Sequence, residues 1–283
     1  MRHAVLGAGG VGGLVAAALA RAGREVVLLM RPETLAHYEG RLEVESAVLG
    51  SFEVEVPAAA QLERHIDALW VAVKATQLEH ALLLAPAERV GGATVVPLLN
   101  GVDHVALLRT RYAKVVAGAI RVESERGRQW RILQTSPFLR VDLAGAEPLA
   151  DELRAAGIET RVRDDERTLL WEKLAFLAPL ALATTALDVP LGGIRNDERY
   201  TRVQEEALAV ARAEGAHVDA DALRALAAAA PDAMRSSMQK DVAAGRPPEL
   251  DAIAGPILRG GDRYAIPVPA TEELVRIVTA RGS

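Results

Sequence analysis

An α/β domain with a doubly wound parallel sheet, followed by an all-helical domain, is the fold class that the sequence predicts. Three observations carry it. From Met1 to about Val162, short β-branched runs alternate with helical stretches, and beyond Asp164-Asp165 the texture changes to long Ala/Leu/Glu/Arg stretches at helical spacing. Aromatic residues make up only 4% of a chain that is 50% hydrophobic, so its cores are built from Ala, Leu and Val, which suits α/β or all-α architecture better than a β-sandwich. At 283 residues the chain has room for two cores, and the change of texture sets the domains at 1–163 and 164–283.

Taken in order, the strands are read at Ala4-Leu6, Val26-Leu29, Leu69-Val73, Thr94-Leu99 and Val115-Ile120, and their alternation with helices implies parallel pairing through crossovers. Leu42-Glu45 and Phe52-Val56 alternate apolar with charged or polar residues, which gives each a wet face and predicts an antiparallel hairpin at the sheet edge. A helix near Glu147-Ala156 and a strand at Glu159-Val162 close the first domain. In the second, helical spacing covers 166–187, 198–215, 219–229, 231–244 and 249–260. Pro179 removes a backbone donor and is expected to kink the first of these helices. Pro190-Leu191-Gly192-Gly193 is expected to end it, and Gly245-Arg246-Pro247-Pro248 to separate the last two.

Composition excludes several functions. The net charge is −5 with both signs scattered, so no basic face exists to follow a phosphate backbone and no nucleic-acid partner is expected. With no cysteine there is no disulfide, thiolate nucleophile or cysteine-ligated zinc, and no metal site is read. The amino terminus lacks an apolar segment long enough for secretion and no later run approaches a membrane span, so a cytoplasmic setting without a membrane partner is expected. The Ala- and Leu-rich helical domain has the composition to bury a homodimer interface, although packing within one chain explains the same pattern.

Gly7-Ala8-Gly9-Gly10-Val11-Gly12 follows a predicted strand and opens a helix running to about Ala22, the context that the dinucleotide fingerprint of a Rossmann-type domain requires. Gly7 permits the tight turn, Gly9 lets backbone amides approach a pyrophosphate, and Gly12 allows close packing of helix on strand. The helix amino end then attracts phosphate. In an NAD enzyme an acidic residue ends the second strand and bonds the ribose hydroxyls, whereas Met30-Arg31 stands here. The planar guanidinium of Arg31 suits a 2′-phosphate, which points to NADP(H) as the cofactor. A solvated Arg31, with Glu33 taking the ribose, is the other reading.

Polar residues just past the carboxyl ends of parallel strands are site candidates. Leu69-Val73 runs into Lys74, with Gln77 close behind, and Val95-Leu99 runs into Asn100-Gly101, a dipeptide that also makes ordinary turns. Lys173 stands out in an apolar helix. An ammonium beside a carbonyl under hydride attack stabilises the oxygen and supplies its proton, although a lysine snorkelling from an amphipathic helix presents the same pattern. Ser237 can donate to a substrate carboxylate, and Glu249 can hold a hydroxyl or position Lys173. Helix capping accounts for such residues equally well.

These residues together resemble the ketopantoate reductase family (2-dehydropantoate 2-reductases). The likeness rests on Gly7 to Gly12, Arg31, Val73-Lys74-Ala75-Thr76-Gln77, Asn100-Gly101, Trp171-Glu172-Lys173-Leu174, Ser236-Ser237-Met238-Gln239-Lys240-Asp241 and Glu249-Leu250-Asp251. The resemblance implies NADPH-dependent reduction of a 2-keto acid, or a related small carbonyl compound, to its hydroxy product. It makes Lys173 the catalytic acid and Glu249 a substrate contact that belongs with it to the catalytic pair. Gly7, Ala8, Gly9, Gly10, Val11, Gly12, Arg31, Lys74, Gln77 and Asn100 become cofactor contacts, and Ser237 a substrate contact. Family members that reduce ketopantoate carry two asparagines on the lysine's helix, four and about eight residues after it; Leu177 and Ala181 stand there in this chain. Thr184 is the nearest polar substitute on that face. The substrate pocket is therefore expected to be more apolar than is usual in the family. A catalytically silent NADPH-binding sensor is the alternative that these missing amides allow.

Overall fold

The computed structural model describes residues 1–281, which cluster into two compact units. The first comprises Met1–Leu99 with His104–Glu166, and the second comprises Asn100–Asp103 with the chain from Arg167 onward.

The first unit is built on a five-stranded, all-parallel sheet. Its spatial order is Ala58–Ala59, Glu25–Leu29, Arg2–Leu6, Ala68–Val71, Thr94–Pro97, the order produced when crossovers wind outward in both directions from the first strand. Both faces are covered. Val5, Leu28, Trp70 and Val96 face one apolar cluster, while Leu6, Leu29, Val71 and Val95 face another. That is why these strands read as continuous apolar runs instead of alternating ones. The Gly10–Arg21 helix packs on the first face through Leu14, Val15, Ala18 and Leu19.

Two further sheets depart from the sequence expectation. The hairpin forms as Arg41–Ser46 against Gly50–Glu55, but it joins Arg131–Gln134 and Ser124–Arg126 in a separate four-stranded sheet and does not edge the parallel one. The 115–120 run divides between partners. Val115 bridges to Val95, whereas Gly118–Arg121 turns away to pair antiparallel with Arg140–Ala144. A third, three-stranded sheet results, completed by Glu159–Arg163 after the Glu147–Ala155 helix.

The second unit is all-helical. Glu166–Leu187 is continuous through Pro179, and Asp188 in the left-handed region (φ 55°) terminates it. Pro190 is thus a start rather than a stop, because it caps the short Leu191–Ile194 helix. The expected 231–244 helix shrinks to Ser237–Ala243. The carbonyls of Asp232 and Met234 accept from the Gly192 and Leu191 amides, so the backbone before Ser236 is committed elsewhere. Glu198–Ala213 and Ala220–Ala229 lie as expected, each with an Asp N-cap, while Leu250–Tyr264 runs past its expected end and Pro269–Arg281 adds a helix. The expectation about apolar runs also needs correction. Glu166–Leu187 has the length and composition to cross a membrane, but 78% of its most apolar window is buried, as in the central helix of a packed core.

Candidate active site

The glycine loop behaves as its spacing requires. Gly7 has φ +106°, outside the range of ordinary side chains, and a Cβ on Gly12 would overlap the Gly7 carbonyl oxygen. Gly9 differs: its backbone is extended and nothing lies within 4 Å of where its Cβ would stand, so this backbone is open to an approaching ligand. The helix it leads has no side-chain cap and no acidic residue in its first turn, so its amino end stays positive and its amides uncapped. Both features fit a pyrophosphate. They follow from the chemistry of the loop, in which any larger residue at Gly7 or Gly12 would spoil the turn.

Neighbouring strands bring other candidates to the same carboxyl end of the sheet. Because Leu6 pairs with Leu29 and the Gly7 amide donates to the Leu29 carbonyl (3.1 Å), the loop and Arg31 leave adjacent parallel strands side by side. Arg31 is exposed, caps the short Pro32–Leu35 helix with its backbone, and has no carboxylate partner among the described residues. On the other side Val71 pairs with Leu6, and the chain continues to half-buried Lys74 and exposed Gln77 through a 3-10 turn at Ala75–Gln77.

In the helical unit, Lys173 is half-buried in Glu166–Leu187. Leu177, one turn on, is half-buried against the apolar core, and Ala181 is fully buried. Thr184 is also fully buried, and its hydroxyl donates to the Leu180 carbonyl (2.7 Å) and lies 2.9 Å from Ser236 Oγ. Ser236 in turn accepts from the Gln239 amide (3.1 Å), so it is the buried cap, and exposed Ser237 begins the helix. Asn100 belongs to this unit, and its Nδ2 donates to Oε2 of buried Glu249 over 3.4 Å, at the long limit of a hydrogen bond.

One neighbour of the glycine loop escaped the sequence reading. Arg126 Nη1 donates to the Ala8 carbonyl (3.0 Å) from a strand 118 residues away, a proximity that no local pattern announces.

Fold and loop define a Rossmann-type dinucleotide-binding protein with an all-helical second unit. Residues 3–143 match the family model described as ketopantoate reductase PanE/ApbA, and residues 165–282 match its C-terminal companion. A 2-dehydropantoate 2-reductase of Caulobacter vibrioides is 33% identical over 98% of each chain, and one of Mycobacterium tuberculosis is 32% identical over 98% of this chain and 96% of that one. Among solved structures, a PanE/ApbA family ketopantoate reductase from Ralstonia eutropha superposes with a TM-score of 0.88 at 30% identity, covering 100% of this chain and 98% of that one. The chain belongs to the ketopantoate reductase family, whose members are NADP-dependent oxidoreductases.

Proposed function

We propose that this chain reduces a 2-keto acid to the 2-hydroxy acid with NADPH, in a cytoplasmic setting and as a homodimer. The reading is supported above all by Lys173. Between Thr168 and Leu187 the only charged residues are Glu172 and Lys173, so an ammonium is retained, half-buried, in an otherwise apolar helix. The Gly7–Gly12 loop and the helix behind it hold the pyrophosphate of the dinucleotide, and Arg31 holds its 2′-phosphate. When bound, the dinucleotide supplies the hydride. Lys173 Nζ stabilises the developing negative charge on the substrate carbonyl oxygen and delivers the proton to that oxygen. Lys74, Gln77 and Asn100 orient the cofactor end of the site, Glu249 fixes the Asn100 amide, and Ser237 donates to the substrate carboxylate.

Substrate choice within the class follows from half-buried Leu177, since Ala181 is sealed in the core. A site built to bond a substrate hydroxyl discriminates strongly against analogues that lack it, and a site lined by aliphatic side chains offers that hydroxyl no partner. Two-keto acids with aliphatic or aromatic side chains are therefore the expected substrates, with ketopantoate a poorer one.

The test is Lys173→Ala assayed against a panel of 2-keto acids with NADPH. Turnover is expected to be lost with NADPH affinity retained. Unchanged turnover would remove Lys173 from the mechanism. Tight NADPH binding by the wild type without turnover of any panel member would defeat the enzymatic reading as a whole.

A further inference from the structure

A second arginine is joined to the cofactor loop. Arg126 donates to the Ala8 carbonyl and lies over the face of Trp130, with its Cζ 4.6 Å from the ring centroid. Trp130 is itself fastened to the segment that follows Arg31. Its Nε1 donates to the His37 carbonyl (2.8 Å), and its ring meets Tyr38 edge to face at 4.6 Å. The turn that presents this ring holds two consecutive non-glycine residues, Gln129 (φ 51°) and Trp130 (φ 61°), in the left-handed region. Such backbone costs free energy and persists where its surroundings over-determine it.

The result is a guanidinium clamped from two sides, by the loop after the first strand and by the chain after the second. Those are the two places between which a dinucleotide's adenosine ribose lies in a Rossmann-type domain. Neither Arg126 nor Arg31 has a carboxylate partner among the described residues, although many other arginines of the chain do. Burial pushes the Arg126 pKa down, and the nearby charge of Arg31 pushes it down further. Two like charges held together without a counter-ion favour an anion that carries more than one negative charge.

We propose that Arg126, held by Ala8 and Trp130, grips the 2′-phosphate jointly with Arg31 and so sets the preference for NADPH over NADH. This rests on the proposal that NADPH is the cofactor. An alternative role for Arg126, as a brace for the glycine loop through the Ala8 carbonyl, makes a different forecast, because a brace affects both dinucleotides equally.

Binding by the full-length protein, followed by calorimetry or by quenching of tryptophan fluorescence, separates these cases. Arg126→Gln is expected to weaken NADPH by about 10- to 100-fold, the loss of one charge-assisted contact, while leaving NADH within about threefold. Trp130→Leu, which releases the guanidinium but keeps its charge, is expected to reproduce the selectivity change in smaller degree. Adenosine 2′,5′-bisphosphate is expected to compete with NADPH in the wild type, with an affinity that falls in Arg126→Gln, whereas ADP is expected to be unaffected. Equal weakening of NADPH and NADH, or no change in either, overturns the proposal and leaves the cofactor assignment standing. Failure of the wild type to bind NADPH would remove the cofactor assignment itself.

Discussion

Asn100 and Glu249, 149 residues apart, meet through an amide-to-carboxylate hydrogen bond of 3.4 Å in which the carboxylate is buried. A buried carboxylate deprived of a donor costs about 1–3 kcal/mol, so the two side chains should act as a unit. In a double-mutant cycle of Asn100→Ala and Glu249→Gln, read as kcat/KM, the effects are expected to be non-additive by about 0.5–3 kcal/mol. Strict additivity would show that the contact contributes nothing.

The glycine loop gives a sharper contrast, since its members have different reasons for being glycine. Gly12→Ala forces a methyl into the Gly7 carbonyl and is expected to destabilise the fold by about 3 kcal/mol or more. Gly9→Ala meets no atom within 4 Å, so melting should stay within about 0.5 kcal/mol of wild type while NADPH affinity falls at least about tenfold. A Gly9→Ala variant that binds normally would show that the open backbone there is not the pyrophosphate site.

His3 predicts a pH dependence. Its side chain is fully buried, Nδ1 accepts from Trp70 Nε1 (3.2 Å), and Nε2 lies 3.2 Å from Glu152 Oε2. Burial lowers its pKa from 6.5, and this outweighs the opposing pull of Glu152. With the folded pKa below the unfolded one, the unfolded state binds the extra proton. The stabilising contribution is thus complete above about pH 6.5 and is lost as pH falls through the interval down to the lowered value. Urea midpoints measured between pH 8 and pH 5 should fall toward acid, and His3→Gln should flatten the part of that slope near pH 6. An unchanged slope in the variant would assign the pH dependence to other groups.

Leu177 and Ala181 are not equivalent, although the sequence offers both as replacements for amides. Leu177 is half-buried and Ala181 fully buried. Leu177→Asn is expected to fold and to raise kcat/KM for ketopantoate, relative to a purely aliphatic 2-keto acid, by about tenfold. Ala181→Asn places an amide in a sealed apolar site and is expected to cost about 2 kcal/mol or more in urea unfolding. A stable Ala181→Asn protein would mean that the helix presents this face to solvent or substrate after all.

Local chemistry made the central sheet legible. The runs at Ala4-Leu6 and Val26-Leu29 are buried on both faces, and Gly7 and Gly12 are required by the turn between them, so nearby residues alone carry the signal. What stayed hidden depends on distant partners. Nothing local shows that the Leu42 and Phe52 hairpin will find Arg131–Gln134, or that the carbonyls of Asp232 and Met234 are claimed by amides at 192 and 191. The same holds in the site. Arg31 is announced by its place at the end of a strand, whereas Arg126 reaches Ala8 across 118 residues. Ser236 and Ser237 read alike as a pair, and only the hydrogen bonds to Thr184 and Gln239 separate the capping hydroxyl from its exposed neighbour.

The tetrapeptide Asn100–Asp103, fastened by the Arg259–Asp103 ion pair, makes the helical unit discontinuous in sequence. A fragment started at residue 164 would lack that piece, and with it the amide that faces Glu249. Grafting helical halves between homologues, or expressing one in isolation, therefore calls for transplanting a short loop from within the first unit's stretch of sequence as well; a single crossover point cannot separate the two.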